Sequence, residues 1–395
     1  MHKKSTYPKA LEKAFIFATF LLLILAIATQ IRGYHYLTFS ADAPLDFARR
    51  WRSLQYIYQG HYPHPTITPD SPYFDPVIGS VSYGGYFPWS FFSLTWFIPP
   101  LPLGLARTYF TLVNVLSMVI TSLFLYHRYK HFSKFSVAFS LISVWAISAN
   151  YRTLHIGQLG ILLNALIIIF WYLLERGKLT WSGIILGLSL MKPNVTALYF
   201  FIPLTLKKYR VAIISIAYVI SMSLLLAVVV QRSPIELMLI SLRGVSSFAA
   251  EGDSLLNIFY DFGFPLPIVI PLLLTTGAII ISSLLSRISK LSLINQLALA
   301  SVIGRLWTYH RVYDNVMLLF LYLAVLELAM KKTNIPNIFM LCLLGFSLWI
   351  PLGWRWIDSS TITHTFLYVV WVASLVFVLV RSSPEPKKLE QTPTI

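Results

Sequence analysis

Residues 14–31 read AFIFATFLLLILAIATQI, a run without a single charged side chain. A helix that crosses the ~30 Å hydrocarbon core of a bilayer needs about 20 consecutive, predominantly apolar residues. This run therefore predicts a membrane span near the start of the chain.

The rest of the 395-residue chain has the same apolar character. Hydrophobic residues make up 57% of it and charged residues only 12%, whereas soluble domains carry about 25% charged residues. This composition excludes an ordinary soluble enzyme, and it excludes a disordered chain, which needs low hydrophobicity. It predicts an all-α polytopic membrane protein. Thirteen apolar segments are candidate spans: 14–31, 86–101, 104–126, 135–150, 157–174, 180–191, 194–206, 211–230, 264–285, 291–304, 313–330, 335–350 and 364–381.

The distribution of lysine predicts the orientation of these spans. Basic residues outnumber acidic residues by 31 to 15, and the cytoplasmic loops of membrane proteins collect Lys and Arg. Membrane topology therefore explains the excess more simply than nucleic-acid binding does. If segment 86–101 enters and leaves on one face while the others cross, every lysine except Lys192 lies in a cytoplasmic loop. We therefore expect about 11–13 transmembrane helices, twelve in this arrangement, with both termini in the cytoplasm.

The chain is predicted to form a single integral-membrane domain over residues 1–395. After the first span, 14–31, comes a long outer loop, 33–85, followed by the remaining spans within 86–381 and a cytoplasmic tail, 382–395. The cytoplasmic loops are short and rich in lysine, whereas the outer loops mix Arg, Asp, His, Trp and Tyr. Any chemistry is therefore expected on the outer face.

Segment 45–59 of the first outer loop reads as an interfacial helix. Leu45, Trp51, Leu54 and Tyr58 recur near one face of it, and Arg and Gln residues lie elsewhere. Asp46 would lie in the first helical turn, where the helix dipole alone stabilises a carboxylate.

Further polar residues lie where the outer loops meet the membrane. Gln158 opens a span, where packing between helices is its simplest role. Lys192 is at the apex of a short hairpin, and it must either pair with an anion or extend to the interface. In loop 305–314 the three-residue spacing of Arg311 and Asp314 favours a local ion pair.

No metal or cofactor is predicted. His61 and His64 lack the spacing of His, Cys and Asp ligands that zinc or iron sites use. The chain also lacks the glycine-rich loops that bind nucleotides.

The order of these features resembles the GT-C superfamily of membrane glycosyltransferases, and specifically glycosyltransferase family 87. The resemblance covers about residues 14–330. It rests on Asp46-Phe47, Gly60 with Pro63, Tyr86 with Pro88, Gly157-Gln158, Gly183 and Gly187 ahead of Lys192-Pro193, the basic run Lys207-Lys208-Tyr209-Arg210, and the His310 loop.

The resemblance implies a GT-C-like helical bundle whose long first outer loop carries the interfacial helix. It implies transfer of a mannose-like hexose from a polyprenyl-phosphate donor to a lipid-linked or envelope glycan. The transfer would be inverting and would take place at the outer face of the cell membrane. The acidic residue of the first outer loop acts as base in such enzymes, which assigns this role to Asp46. The partners are then membrane lipid, donor and glycan acceptor, without nucleic acid.

This reaction needs a base for the acceptor hydroxyl and positive charge for the leaving phosphate. Two other functions stay open: a secondary transporter, which also uses broken helices, and a lipid-glycan ligase or polymerase. For the glycosyltransferase we expect Asp46 and His310 to be catalytic, Lys192, Arg152, Arg305 and Arg311 to bind the donor phosphate, and Gln158, Tyr86, Trp89 and Arg49 to contact substrate.

Overall fold

The protein is a bundle of helices. The chain is 77% helical, and Ile67–Val81 is an isolated β-bridge among the described residues. Among the described residues, five helices are long and apolar enough to cross a membrane, so the prediction of an all-α polytopic membrane protein is confirmed. The computed structural model describes residues 9–40, 44–64, 66–81, 86–248, 262–265, 269, 272, 276, 287–307, 310–350 and 361–381.

The described helices are numbered here in chain order. They are α1 (Lys9–Phe39), α2 (Leu45–Tyr58), α3 (Pro88–Leu94), α4 (Leu103–Tyr129), α5 (Lys134–Trp145), α6 (Ser148–Ile156), α7 (Gly160–Glu175), α8 (Leu179–Ser189), α9 (Pro193–Thr196), a 3₁₀ turn (Ala197–Phe200), α10 (Phe201–Thr205), α11 (Tyr209–Val229), α12 (Pro234–Phe248), α13 (Leu293–Trp307), a second 3₁₀ helix (Val312–Leu318), α14 (Leu319–Lys331), α15 (Ile335–Trp349) and α16 (Thr361–Arg381).

Several predicted spans are shorter or more broken than a membrane-crossing helix. Helix α8 has 11 residues, which at 1.5 Å per residue is about 16 Å against a hydrocarbon core of ~30 Å. Segment 134–156 and α7 are bent by 119° at the break between them. The number of crossings therefore stays a prediction, and segment 264–285 lies largely outside the described residues.

Burial separates central helices from peripheral ones. Of the most apolar 18-residue stretch within Val312–Lys331, 83% is buried, whereas only 17% of the corresponding stretch within Phe15–Phe39 is buried. Helix α7 is also buried around most of its circumference, as expected for the inner helix of a bundle. The apolar side chains exposed on α1, α4 and α11 therefore form the lipid-facing surface.

Loops that the lysine distribution assigns to the cytoplasm meet at one end of the bundle. Arg128 at the end of α4 pairs with Glu175 of α7 at 3.4 Å and with Glu327 of α14 at 3.0 Å. Lys331 pairs with the same Glu327 at 2.7 Å. We call these four residues the Arg128 cluster. The structure thus brings three of these loops together, while the compartment they face remains a prediction.

Segment 86–101 returns to the element it leaves. Tyr86 at its start accepts a hydrogen bond from Arg50 of α2, and Leu101 at its end accepts one from the Trp51 indole, also of α2, at 2.8 Å. Helix α3 lies between the two contacts. This agrees with a segment that enters and leaves on one face.

Helix α2 begins and ends almost where predicted, but its apolar residues do not share one environment. Trp51 and Leu54 are buried, whereas Leu45 and Tyr58 are 60% and 37% exposed. The buried face includes Arg50, which is only 2% exposed. Neighbouring oxygens accept hydrogen bonds from both terminal nitrogens of this buried guanidinium, as described below.

Candidate active site

Side chains from four loops assigned to the outer face form a continuous chain of hydrogen bonds. Gln158 Nε2 donates to Asp46 Oδ2 at 2.6 Å, and Lys192 Nζ donates to Gln158 Oε1 at 3.2 Å. Lys192 Nζ also donates to Asp314 Oδ1 at 2.6 Å. We call these four residues the site network. Three of them were expected in the site from the sequence, and the network lies at the opposite ends of α7 and α14 from the Arg128 cluster.

Asp46 is placed by the start of α2. Pro44 precedes the helix, and Asp46 lies in its first turn, where the helix dipole favours a carboxylate. The carboxylate is 23% exposed, and Arg49 Nη1 lies 3.9 Å from Oδ1. Gln158 therefore holds one carboxylate oxygen, and Oδ1 lies on the side of the exposed Arg49.

Gln158 reaches Asp46 because Gly157 reverses the chain. Gly157 ends α6 with φ +72°, in the left-handed region that favours glycine. A Cβ at this position would lie 2.5 Å from Cβ of Phe47 in α2. Only glycine allows both the backbone conformation and this approach, so the Gly157-Gln158 pair brings the amide against α2.

Arg50 is a site residue that the sequence prediction missed. Its Nη1 donates to Tyr86 Oη at 2.8 Å and to Gln158 Oε1 at 3.2 Å. Its Nη2 donates to the carbonyl oxygen of Gly157. The spacing of four residues from Asp46, which places both on one helical face, is the sequence signal that indicates it.

Lys192 and Asp314 form a buried ion pair. Their residues are 8% and 1% exposed, and Lys192 Nζ also lies 5.1 Å from the centre of the Tyr313 ring, within cation–π range. Lys192 therefore does not extend to the interface. Asp314 Oδ2 accepts from the backbone N–H of Arg311 at 3.2 Å. Asp314 is thus the long-range partner of Lys192, a role that its sequence neighbours did not indicate.

His310 and Arg305 lie behind this ion pair. His310 is fully buried; its Nε2 donates to the carbonyl oxygen of Gly304 at 2.7 Å, and its Nδ1 is 3.4 Å from Asp314 Oδ2. Burial lowers the pKa of His310, because it disfavours the charged imidazolium. Arg305 is 1% exposed and donates from Nε to Asn315 Oδ1 at 2.5 Å.

The remaining polar and aromatic residues singled out in the sequence lie on neighbouring elements. Arg152 is half-buried on α6, and Arg311 is exposed. The indole of Trp89 donates to the carbonyl oxygen of Leu190 at 2.8 Å, which ties α3 to the hairpin that carries Lys192. His61 stacks on Tyr73 with a centroid distance of 4.4 Å. Within the described ranges, no cluster of three or more His, Cys, Asp or Glu side chains is arranged to hold a metal.

The described part of the site carries more positive than negative charge. A cationic excess raises the local concentration of anionic ligands, so the site is suited to a substrate with a phosphate group. The cations are Arg49, Arg50, Lys192 and Arg305, and the carboxylates are Asp46 and Asp314.

The fold and the site together define an integral membrane protein with a polar, cation-rich site at one end of its helical bundle. The sequence pattern of glycosyltransferase family 87 matches residues 87–330, which is more than half of the chain. The chain therefore belongs to glycosyltransferase family 87 and is a membrane glycosyltransferase. This membership favours a glycosyltransferase over a transporter. The matched region includes Gln158, Lys192, His310 and Asp314, whereas Asp46 and Arg50 precede it. No curated protein matches the chain.

Proposed function

We propose that this glycosyltransferase moves a mannose-like hexose from a polyprenyl phosphate to a hydroxyl group of a lipid-linked or envelope glycan. The observation that carries the proposal is the site network, in which a partly exposed carboxylate is held beside an excess of cationic side chains. A base and a binding site for phosphate are the two groups that this reaction requires.

In the proposed reaction, the acceptor oxygen attacks the anomeric carbon and its proton passes to Asp46. The bond between the anomeric carbon and the phosphate oxygen breaks, and polyprenyl phosphate leaves with the electron pair. A single displacement from the face opposite the phosphate inverts the anomeric configuration. Asp46 fits the role of base because its carboxylate is partly exposed and Gln158 engages only Oδ2.

The cations divide into two groups in this proposal. Arg152, Arg311 and Arg49 are partly or fully exposed, and they contact the donor phosphate as it gains charge. Lys192 and Arg305 are buried, so they contribute positive potential from behind the site. Because basic side chains can neutralise a phosphate monoester, the proposal includes no metal or other cofactor.

His310, Trp89 and Tyr86 support the site from its edges. His310 is fully buried behind the ion pair, with Nδ1 3.4 Å from Asp314 Oδ2, so we assign it a supporting role beside Asp314 instead of the catalytic role expected from the sequence. Trp89 is half-exposed and stacks on Phe87 with a distance of 4.6 Å between ring centroids. Aromatic surfaces of this kind can pack against sugar rings and isoprenoid chains. The lysine distribution supports an outer-face position for this end of the molecule.

The experiment is a transfer assay on the purified full-length protein in lipid nanodiscs. A panel of synthetic polyprenyl-phosphate sugars, including the mannose donor, is tested with alkyl glycoside acceptors, and products are identified by mass spectrometry. Asp46→Asn should lower kcat at least ~100-fold, since general-base catalysis typically contributes 10²–10⁴-fold.

The matched control is Asp70→Asn, which neutralises an exposed carboxylate in the same loop and should leave kcat within about twofold. Full activity of Asp46→Asn would remove Asp46 as the base. Failure of every polyprenyl-phosphate donor, with transfer from a nucleotide sugar instead, would overturn the donor class.

A further inference from the structure

We propose that Gln158 is a positioning residue, and that Arg50 and Lys192 fix the orientation of its amide so that it holds the Asp46 carboxylate in place. This inference rests on the proposed function only where it takes Asp46 as the base. It differs from the role in substrate contact that the sequence suggested for Gln158.

The charges around the amide determine which of its ends faces Asp46. Oε1 accepts from Arg50 Nη1 and from Lys192 Nζ, both at 3.2 Å. Nε2 donates to the Asp46 carboxylate at 2.6 Å. A rotation by 180° would place the amide N–H groups against two cations, which are donors only, and the amide oxygen against a carboxylate, which is an acceptor only. All three contacts would become repulsive, so one orientation is strongly favoured.

Burial strengthens this preference. Gln158 is 6% exposed, Arg50 2% and Lys192 8%, so water does not compete for their hydrogen bonds. Hydrogen bonds to charged groups are short and strong, and low local dielectric increases their strength. The amide therefore couples two buried cations to a partly exposed carboxylate.

Each cation is anchored independently of Gln158. Arg50 also donates to Tyr86 Oη and to the Gly157 carbonyl, while Lys192 is held by Asp314 at 2.6 Å. The amide is thus fixed from α2 on one side and from the hairpin after α8 on the other. Because α2 carries Asp46 as well, these contacts fix the position of the base relative to the hairpin that carries Lys192.

A neutral amide serves this purpose better than a cation would. A direct contact between Lys192 and Asp46 would form an ion pair and engage the carboxylate more fully. Gln158 instead binds Oδ2 with an N–H group, and Oδ1, which lies 3.9 Å from Arg49 Nη1, remains within reach of the acceptor hydroxyl. The two oxygens of Asp46 thereby take different roles, one for position and one for the proton.

The kinetic test compares Gln158→Leu and Gln158→Glu with Asn164→Leu. Gln158→Glu keeps an oxygen for the two cations but replaces the N–H donor with a second carboxyl group, which either repels Asp46 or shares a proton with it. The control residue Asn164 lies on α7 and is also 6% exposed. Its Nδ2 donates a buried hydrogen bond of 2.7 Å to the Val316 carbonyl oxygen in the second 3₁₀ helix. Asn164→Leu therefore removes a comparable structural bond away from Asp46.

With polyprenyl-phosphate mannose and octyl mannoside as probes, both Gln158 variants should lose ~100-fold in kcat, the effect expected of a misplaced catalytic group. The KM of each probe should stay within about twofold, and Asn164→Leu should keep kcat within about threefold. A raised KM at unchanged kcat would make Gln158 a substrate-binding residue, and wild-type kcat in Gln158→Leu would show that the amide donor is not needed. Either result overturns the inference.

An infrared measurement tests the contact without activity. The carboxylate bands of Asp46 are obtained as a difference spectrum, in which the spectrum of Asp46→Asn is subtracted from that of the wild-type protein. The same subtraction is made for each Gln158 and Asn164 variant, with and without Asp46→Asn. The bands should shift in Gln158→Leu but not in Asn164→Leu, because only the former loses the 2.6 Å bond. Unshifted bands overturn the inference, whereas shifted bands together with a fully active Asp46→Asn overturn the base assignment alone.

Discussion

The buried ion pair of Lys192 and Asp314 orders the side chains of the site. Taking two charges out of water costs several kcal/mol per ion, and mutual attraction offsets this cost only in good geometry. The 2.6 Å contact between Lys192 and Asp314, with Gln158 as a further acceptor for the lysine, provides that geometry. The pair is therefore more important for the order of the site than for the overall stability of the fold.

This view predicts a specific pattern of stability when the pair is broken. Lys192→Met and Asp314→Asn should each destabilise the protein by ~3–5 kcal/mol, because each leaves an uncompensated buried charge. The double variant should recover most of the lost Tm while transfer activity remains low, since Gln158 has lost one of its two cations. Thermal unfolding in nanodiscs and the transfer assay measure the two effects.

The control for this cycle is Arg232→Gln, which breaks the exposed pair with Glu236 at 3.3 Å. Exposed pairs of this kind contribute about 0–1 kcal/mol, so Tm should hardly change. A double variant no more stable than either single variant would contradict the interpretation of Lys192 and Asp314 as a compensated pair.

At the scale of elements, helix α8 carries the site hairpin and depends on close packing against α11. Small residues allow the backbones of membrane helices to approach each other. A Cβ at Gly183 would lie 2.7 Å from Ile214 Cβ, and one at Gly187 would lie 2.7 Å from Tyr218 Cβ. Both glycines face α11 one turn apart, so they set the position of α8 and, through it, of Lys192.

We predict that Gly187→Ala separates α8 from α11 and lowers Tm by several degrees, since overpacking typically costs ~1–3 kcal/mol. Transfer activity should fall as well, because the hairpin moves with α8. The matched control is Gly104→Ala on α4, where no atom would lie within 4 Å of the new Cβ. This change should leave Tm unchanged or slightly higher, as expected for alanine in place of glycine in a helix. Equal effects of the two substitutions on Tm would contradict the packing argument.

The elements were more predictable than the contacts between them. Apolar runs and their boundaries are local, so the expected segments 104–126 and 313–330 correspond closely to helices at Leu103–Tyr129 and Val312–Lys331. The hydrogen bond between Gln158 and Asp46 joins positions 112 residues apart, and that between Lys192 and Asp314 joins positions 122 apart. Composition and periodicity within one sequence contain no information on such pairings. They indicated that a buried lysine needs an anion, but not which carboxylate supplies it.

At the scale of the whole molecule, the site network and the Arg128 cluster lie at opposite ends of the bundle. The compartment that one cluster faces therefore determines the compartment that the other faces. Helix α7 runs from the site network to Glu175, and α14 runs from the neighbourhood of Asp314 to Glu327. If the Arg128 cluster faces the cytoplasm, the site network must therefore face the other compartment. One residue of known accessibility at each end decides the orientation of every described helix.

Lys178 and Asp70 are suitable positions for this test. Both are exposed, Lys178 in the loop between α7 and α8 and Asp70 in the first outer loop. The native thiol of Cys342 is also exposed, so the two cysteines are introduced separately into a Cys342→Ala background. In intact cells, a membrane-impermeant maleimide should label Asp70→Cys and should label Lys178→Cys only after the membrane is permeabilised. The reverse result would place Asp46 and its network in the cytoplasm, and labelling of both positions from outside would contradict the grouping of the loops into two opposite ends.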